Sequence, residues 1–217
     1  MKKLIIIGAG QFGREVADWV LQIPEPSRKW YLAGFLDSRP HILNGFFENY
    51  RIIGSPFDYR PQEDEVFVCA IGDPYEKEKF IATLKSKGAL FQTIIHPSAV
   101  IGSHNRIGDG CIICPGAIIT NNVTIENFVT VNVLSSIGHD ARIGIYSTLS
   151  SHIDVTGGAN IGANVFVGSN ASILPKATVG DGAFIGAGSV VLKRVAPGEK
   201  VFGNPAKRIG WVKTDRI

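Results

Sequence analysis

The sequence predicts two structurally unlike halves. Residues 1–94 read as an α/β domain on a small parallel, Rossmann-like sheet, and residues 95–217 as a parallel β-helix of hexapeptide repeats with a short C-terminal tail. Two observations predict this division. From Ile95 to Val191 every sixth residue is Ile, Leu or Val, seventeen positions in succession. Before Ile95 that period is absent, and apolar strand-like runs alternate with segments of helical spacing.

The first half opens with a buried-strand run at residues 3–7, then the tight turn Gly8-Ala9-Gly10-Gln11-Phe12-Gly13. Residues 14–23 follow with helical spacing, with Val16, Trp19, Val20 and Ile23 on one face. Residues 31–36 are a second strand ending at Asp37, and residues 65–71 a third ending at Gly72-Asp73. Residues 74–87 are a second helix with Phe80, Ile81 and Leu84 as its apolar positions, and residues 91–95 a last strand feeding the solenoid. Strand-helix alternation of this kind is the pattern of a truncated dinucleotide-type fold.

In the second half the residue two before each aliphatic is usually small, as at Cys111, Ala117, Ser135, Ala141, Ser147, Ala159, Ala171 and Ser189. One branched and one small inward residue per six fit a short strand followed by a tight bend. Glycine often follows the aliphatic, as at Gly102, Gly138 and Gly186, and Gly or Asn supplies a permissive backbone at corners. Three units close a triangular coil of eighteen residues whose aliphatics stack into ladders, so each coil buries its neighbours and about five coils are expected. A sandwich of ordinary strands would instead alternate with period two between loops of variable length.

Composition narrows the function. The chain has 217 residues and a formal charge of +3, too mild for a nucleic-acid or anionic-membrane partner. No run approaches the roughly 18 apolar residues of a membrane-spanning helix, and the short run Leu4 to Ile7 reads as a strand, not a signal peptide. Three cysteines, Cys69, Cys111 and Cys114, are few and odd in number, as expected in a reducing cytoplasm. Cys111 holds a small inward repeat position, and with no second pair of ligands no metal is expected.

Four stretches carry a family resemblance: GAGQFGRE at 8–15, IIHPSAVIG at 94–102, VNVLSSIGHDARIG at 131–144 and GNPAKRI at 203–209. With the two halves in this order, the whole chain resembles the sialic acid O-acetyltransferase/bacillosamine N-acetyltransferase family of hexapeptide-repeat acyltransferases. The resemblance implies a left-handed coil, homotrimers with active sites between adjacent solenoids, acetyl-CoA as co-substrate, and a sugar acceptor. The favoured acceptor is a nucleotide-linked 4-amino-sugar; sialic acid or another hydroxyl is the alternative within the class, and a catalytically silent trimeric scaffold the alternative outside it.

By the same resemblance His139-Asp140 is the catalytic pair, with His139 as general base and Asp140 holding its ring, and Asn132 lies near the acceptor. Histidine suits the task because its ordinary pKa, about 6.5, lies near working pH. A solvated His-Asp pair at a turn is the plain alternative, while His152 reads as a surface or interface residue. Thr148 stands where the family often has a second, cofactor-contacting histidine, and Ser169 and Ala187 match positions whose backbone meets the pantetheine arm. Adding one coil to His139 reaches Gly157, whose exposed backbone N–H makes it a candidate oxyanion donor. Lys207 and Arg208 follow the last coil, either meeting the CoA phosphates or forming a solvated basic tail.

The first half offers a second site. A GxGxxG turn followed 24 residues past Gly13 by Asp37 would suit a nicotinamide cofactor, but no second mononucleotide half follows. The resemblance instead implies a nucleotide-sugar, with Gly10, Gln11 and Phe12 near the phosphates or base, Asp37 and Ser38 at the base and ribose, and Gly72-Asp73 closing the pocket. Gln11-Phe12 replaces the Gly-His of family members that use nucleotide-linked amino-sugars.

Overall fold

The computed structural model describes residues 1–46 and 49–212. The first domain is a four-stranded, wholly parallel sheet of β1 (Lys2–Ile7), β2 (Trp30–Leu36), β3 (Ile52–Gly54) and β4 (Glu65–Cys69), ordered β3-β2-β1-β4. Leu4 to Ile7 are fully buried, as a strand covered on both faces requires. The edge strand β3 has no counterpart in the sequence reading, because three residues are too few to show a period. The third strand stops at Cys69, not residue 71, and residues 91–95 split: Phe91 makes a single bridge to Phe67, and Ile94–Ile95 is already the first rung of the solenoid.

Helix α1 (Gln11–Gln22) buries Gly13, Val16, Ala17 and Val20, one turn earlier in its start than expected. Helix α2 (Pro74–Lys85) starts on a capped end: Asp73 accepts hydrogen bonds from the N–H groups of Tyr75 and Glu76 at 3.0 and 3.1 Å. It ends two residues before the expected Lys87. Its buried stripe is Lys77, Ile81 and Leu84, a helical i, i+4, i+7 set in which a lysine occupies an apolar place.

From Ile94 onward the chain winds as a three-faced parallel solenoid. The first face carries Ile94–Ile95, Ile112–Ile113, Thr130–Val131, Thr148–Leu149, Phe166–Val167 and Phe184–Ile185, and is extended by Glu199–Phe202 and the antiparallel strand Lys207–Trp211. The second runs from Val100–Ile101 through Ser136–Ile137 to Val190–Val191, and the third from Arg106–Ile107 to Arg194–Val195, six strands each among the described residues. The expected ladder positions pair in register, Ile119 with Ile137 and Ile137 with Val155. The stack runs past Val191 into Arg194–Val195 and Glu199–Phe202, and the final coil tightens, Val179 pairing with Val195 rather than with residue 197. Ladder aliphatics and small residues form one continuous core, from Cys111 through Ile137, Ala141 and Val155 to Val201. Full burial of each branched side chain contributes about 1.5–3 kcal/mol.

The glycine after each aliphatic has a different cause from the one the sequence suggested. The left-handed backbone of the corner lies two residues further on, at Leu134 (φ 56°), Asp140 (φ 61°) and His152 (φ 59°) among others. At Gly138 what matters is space: a Cβ would come within 2.7 Å of the Gly157 backbone nitrogen in the next coil. Close stacking, not positive φ, demands a glycine there.

The two domains meet on the first face. Ile94, Ile112 and Cys114 share a core with β1 and α1, while Phe128 and Tyr146 pack with Leu84 and Phe67 on the α2 side. Fully buried in this junction, Lys77 directs its ammonium to Thr130 Oγ1 at 3.0 Å, Thr148 Oγ1 at 2.8 Å and the carbonyl of Phe128 at 3.2 Å. At the other edge His96 is held between Ser98 (Nδ1 to Oγ, 2.7 Å) and Gln22 of α1 (Nε2 to Oε1, 2.9 Å).

Candidate active site

The corner that follows the second face presents His139, Asp140 and, one coil on, Gly157. The imidazole Nδ1 lies 2.8 Å from Asp140 Oδ2, and the left-handed φ of Asp140 turns its carboxylate back onto the ring. With Nδ1–H donated to Asp140, the lone pair rests on Nε2. That nitrogen lies directly over Gly157, where a Cβ would be 2.5 Å from it. Gly157 has no positive φ, so its missing side chain serves the histidine and not the turn. Its N–H makes no hydrogen bond among the described residues. Both His139 and Asp140 are exposed on the single chain.

The remaining solenoid candidates fall on a different edge. Asn132, Ser169 and Ala187 occupy the corner before the second face, each one or two residues past the ladder aliphatics Val131, Val167 and Ile185. Asn132 is partly buried, its Oδ1 accepting from the Val133 N–H at 2.7 Å, and Ala187 is exposed. His152 belongs to this edge as well. Within one chain these residues and His139 lie at opposite ends of the strand Ser136–Ile137. Between the two edges the second face exposes Val100 and Ile118, 61% and 46% accessible, and Leu134, 58% accessible, stands on the Asn132 edge one coil before His152.

Thr148 is not on either edge. Its hydroxyl is buried under the first domain and occupied by Lys77, which gives it an internal partner and no open face for a cofactor. The family resemblance put it near the cofactor; the buried lysine opposite it was hidden by its charge. Lys207 and Arg208 lie exposed in the last strand, with the Arg208 guanidinium 5.4 Å from the Trp211 ring.

In the first domain the C-terminal ends of β1, β2 and β4 converge, with β1 flanked by β2 on one side and β4 on the other, the switch point where open parallel sheets form a crevice. Gly10, Gln11, Asp37, Ser38, Gly72 and Asp73 all line this edge of the sheet. Gly8 (φ 91°) and Gly13, where a Cβ would lie 1.9 Å from the Gly8 carbonyl oxygen, are required to close the turn. Phe12 departs from expectation: it packs against Trp19, ring centroids 6.1 Å apart, and joins the core of its own domain.

Asp37 is buried and fully engaged. Its Oδ2 accepts from the Ala9 N–H at 2.9 Å, and Arg39 grips the carboxylate at two points, Nε to Oδ1 and Nη2 to Oδ2, both 2.9 Å. Burial pushes the carboxyl up, but the hydrogen bonds from Arg39 and from the Ala9 and Arg39 N–H groups outweigh it and hold Asp37 below the usual carboxylate range. Arg39 is absent from the sequence-predicted site; its place two residues after an acid at a strand end is the signal that marks it. No group of three or more His, Cys, Asp or Glu side chains suited to a metal occurs among the described residues.

Comparison with known proteins agrees with both halves. Residues 3–84 match the PglD N-terminal domain, and residues 158–193 match the bacterial transferase hexapeptide, six repeats. Both matches point to similarity with the PglD/NeuD-like family of hexapeptide-repeat acyltransferases. The chain is 32% identical to GDP-perosamine N-acetyltransferase of Escherichia coli O157:H7 over 148 residues, 67% of the chain and 66% of the relative, just under two thirds of its length. The acetyltransferase domain of PglB from Neisseria gonorrhoeae, in complex with acetyl coenzyme A, superposes with a TM-score of 0.86 at 26% identity, over 96% of this chain and 99% of that one. PerB from Caulobacter crescentus, in complex with CoA and GDP-perosamine, gives 0.86 at 26% identity over 97% and 98%. The hexapeptide repeats of the family make the coil left-handed. No helix among the described residues is long and apolar enough to cross a membrane.

Proposed function

We propose that this chain transfers the acetyl group of acetyl-CoA to the amino group of a nucleotide-linked 4-amino-sugar, with a GDP-linked sugar the first acceptor to test. The carrying observation is the His139–Asp140 pair with Nε2 poised over Gly157. The GDP-perosamine complex of a relative at this level of similarity supports the acceptor class.

In this reading the amine attacks the thioester carbonyl while Nε2 of His139 takes its proton. The Gly157 N–H donates to the oxyanion, and collapse of the adduct forms the amide and expels the CoA thiolate, which recovers the proton from the imidazolium. Asp140 stabilises the transient positive charge. Asn132 of one edge contacts the acceptor, and Ser169 and Ala187 follow the pantetheine arm, with Lys207 and Arg208 toward the CoA phosphates.

Because the catalytic pair and the cofactor-side residues lie on separate edges, a complete site needs two chains. A homotrimer packed about the exposed Val100–Ile118 face, with Leu134 at its border, would bring one chain's His139 edge against its neighbour's Asn132 edge. Three free, buried cysteines fit a reducing compartment such as the cytoplasm.

The test is acetyl transfer to GDP-perosamine, read as thiol release and a product mass gain. His139→Ala should lower kcat about a hundredfold or more while acetyl-CoA still binds. Turnover near wild type in that variant sinks the assignment of the base, and absence of thiol release with GDP-, UDP- and dTDP-linked amino-sugars and with sialic acid favours a silent binding protein.

A further inference from the structure

The glycine-rich turn contains one glycine that the fold does not explain. Gly8 is required by its positive φ and Gly13 by its contact with the Gly8 carbonyl, but Gly10 has φ −69°, open to any residue. The only atom near the place of its Cβ is Arg39 Nη2, at an ordinary van der Waals distance of 3.7 Å. A small residue kept small without internal need leaves room for something external to approach the backbone.

Arg39 stands beside that opening. Its Nε and Nη2 are spent on Asp37, a two-point grip that fixes the plane of the guanidinium, while the side chain remains 61% exposed. Nη1 makes no hydrogen bond among the described residues. The group is thus a rigid cation with an unused donor edge. Asp37 in turn has both oxygens committed, to Arg39 and to the Ala9 N–H, and has little left for a ribose hydroxyl. Gly10 also begins α1 with no side-chain cap, and no acid occupies the first turn.

We propose that Arg39 binds the diphosphate of the nucleotide-linked acceptor across Gly10, and that Asp37 is the positioning residue for Arg39, not the ribose ligand. This rests on the nucleotide-sugar reading of the site. It supplies a cation where the family's Gly-His is replaced by Gln11-Phe12. Asp37 raises specificity indirectly, by aiming the fork, as a carboxylate does for a guanidinium that must meet a second anion.

The experiment measures binding directly by calorimetry, on the full chain, with GDP, 2′-deoxy-GDP and guanosine as probes and UDP and dTDP alongside. Arg39→Ala is expected to weaken GDP about ten- to a hundredfold, to flatten the salt dependence of binding, and to leave guanosine unchanged. Gly10→Val, which fills the opening at an unstrained φ, should weaken GDP with little change in melting temperature. Asp37→Asn should weaken GDP and guanosine unequally, GDP more, while wild type binds 2′-deoxy-GDP as well as GDP.

Equal loss of guanosine and GDP in Arg39→Ala overturns the proposal in favour of a base contact. So does unchanged GDP binding, or a strong preference of wild type for the 2′-hydroxyl. Failure of wild type to bind any of the diphosphates overturns it too. That outcome is separable from failure of the acetyl-transfer reading, because thiol release from acetyl-CoA with a free amino-sugar at high concentration tests His139 without the nucleotide.

Discussion

Lys77 Nζ lies 2.8 Å from Thr148 Oγ1, so a charged side chain of the first domain ends inside the junction with the solenoid. Its four oxygen contacts include the carbonyl of Ser147 at 3.4 Å. Burial lowers the ammonium pKa to about 8. Lys77→Ala removes the donor and leaves a void, and should cost about 2–5 kcal/mol of unfolding free energy. Lys77→Met fills the same volume and should cost less, with chemical denaturation comparing the two. For wild type the sign is fixed: the unfolded chain keeps this proton up to the ordinary value of 10.5, so the Lys77 contribution to stability grows as pH rises from about 8 toward 10.5. Lys77→Met should lack that increment.

Gly157 carries a sharper prediction than the histidine itself. A Cβ there would sit 2.5 Å from His139 Nε2, while the glycine's own backbone needs no positive φ. Gly157→Ala should therefore fold normally, displace the imidazole, and lower kcat about a hundredfold with a melting temperature near wild type. A variant with intact kcat would show that Nε2 does not work from its observed position.

His96 links stability to acid. Burial depresses its pKa below 6.5, and Nδ1 accepts from the Ser98 N–H at 3.1 Å, a bond only the neutral ring can accept. The unfolded state binds the proton first as pH falls, so this contribution is complete above 6.5 and is lost as pH drops toward the folded value. Denaturant titrations between pH 5 and 7.5 should show a decline that His96→Gln flattens.

Leu134 is a large apolar residue held at φ 56° and exposed. Aspartate tolerates that backbone, so Leu134→Asp should leave the coil intact yet place a charge on the Asn132 edge, beside the apolar second face. If the proposed trimer packs on this surface, light scattering should show a smaller mass than wild type, with activity reduced about tenfold or more. An unchanged mass would remove this edge from the contact surface.

Much of the solenoid was legible because its physics repeats. From Ile113 to Val191 every ladder position is buried by the same packing rule, with Ile95 and Ile101 exposed in the first coil, so the register could be read by counting, and the stacking of Gly157 under His139 followed from one coil length. What escaped depended on single partners. β3 is too short to show a period. Lys77 reads as a surface residue until Thr130 and Thr148 are opposite it. Thr148 was expected at the cofactor by family resemblance, which could not show Lys77 closing over its hydroxyl. Phe12 turned inward to Trp19, and Arg39 acquired meaning only when Asp37 proved already engaged.

The separation of His139 from Asn132, Ser169 and Ala187 onto two edges has a consequence for mixtures. Each chain would donate a base to one cleft and a cofactor wall to another, so damage to the two edges is genetically distinct. A chain carrying His139→Ala, inactive alone, and a chain carrying Ser169→Trp to block the other wall, also inactive alone, should complement when refolded together. Hybrid trimers would contain clefts assembled from two undamaged edges, and activity would reappear in proportion to their abundance. Two changes on the same edge would never rescue each other.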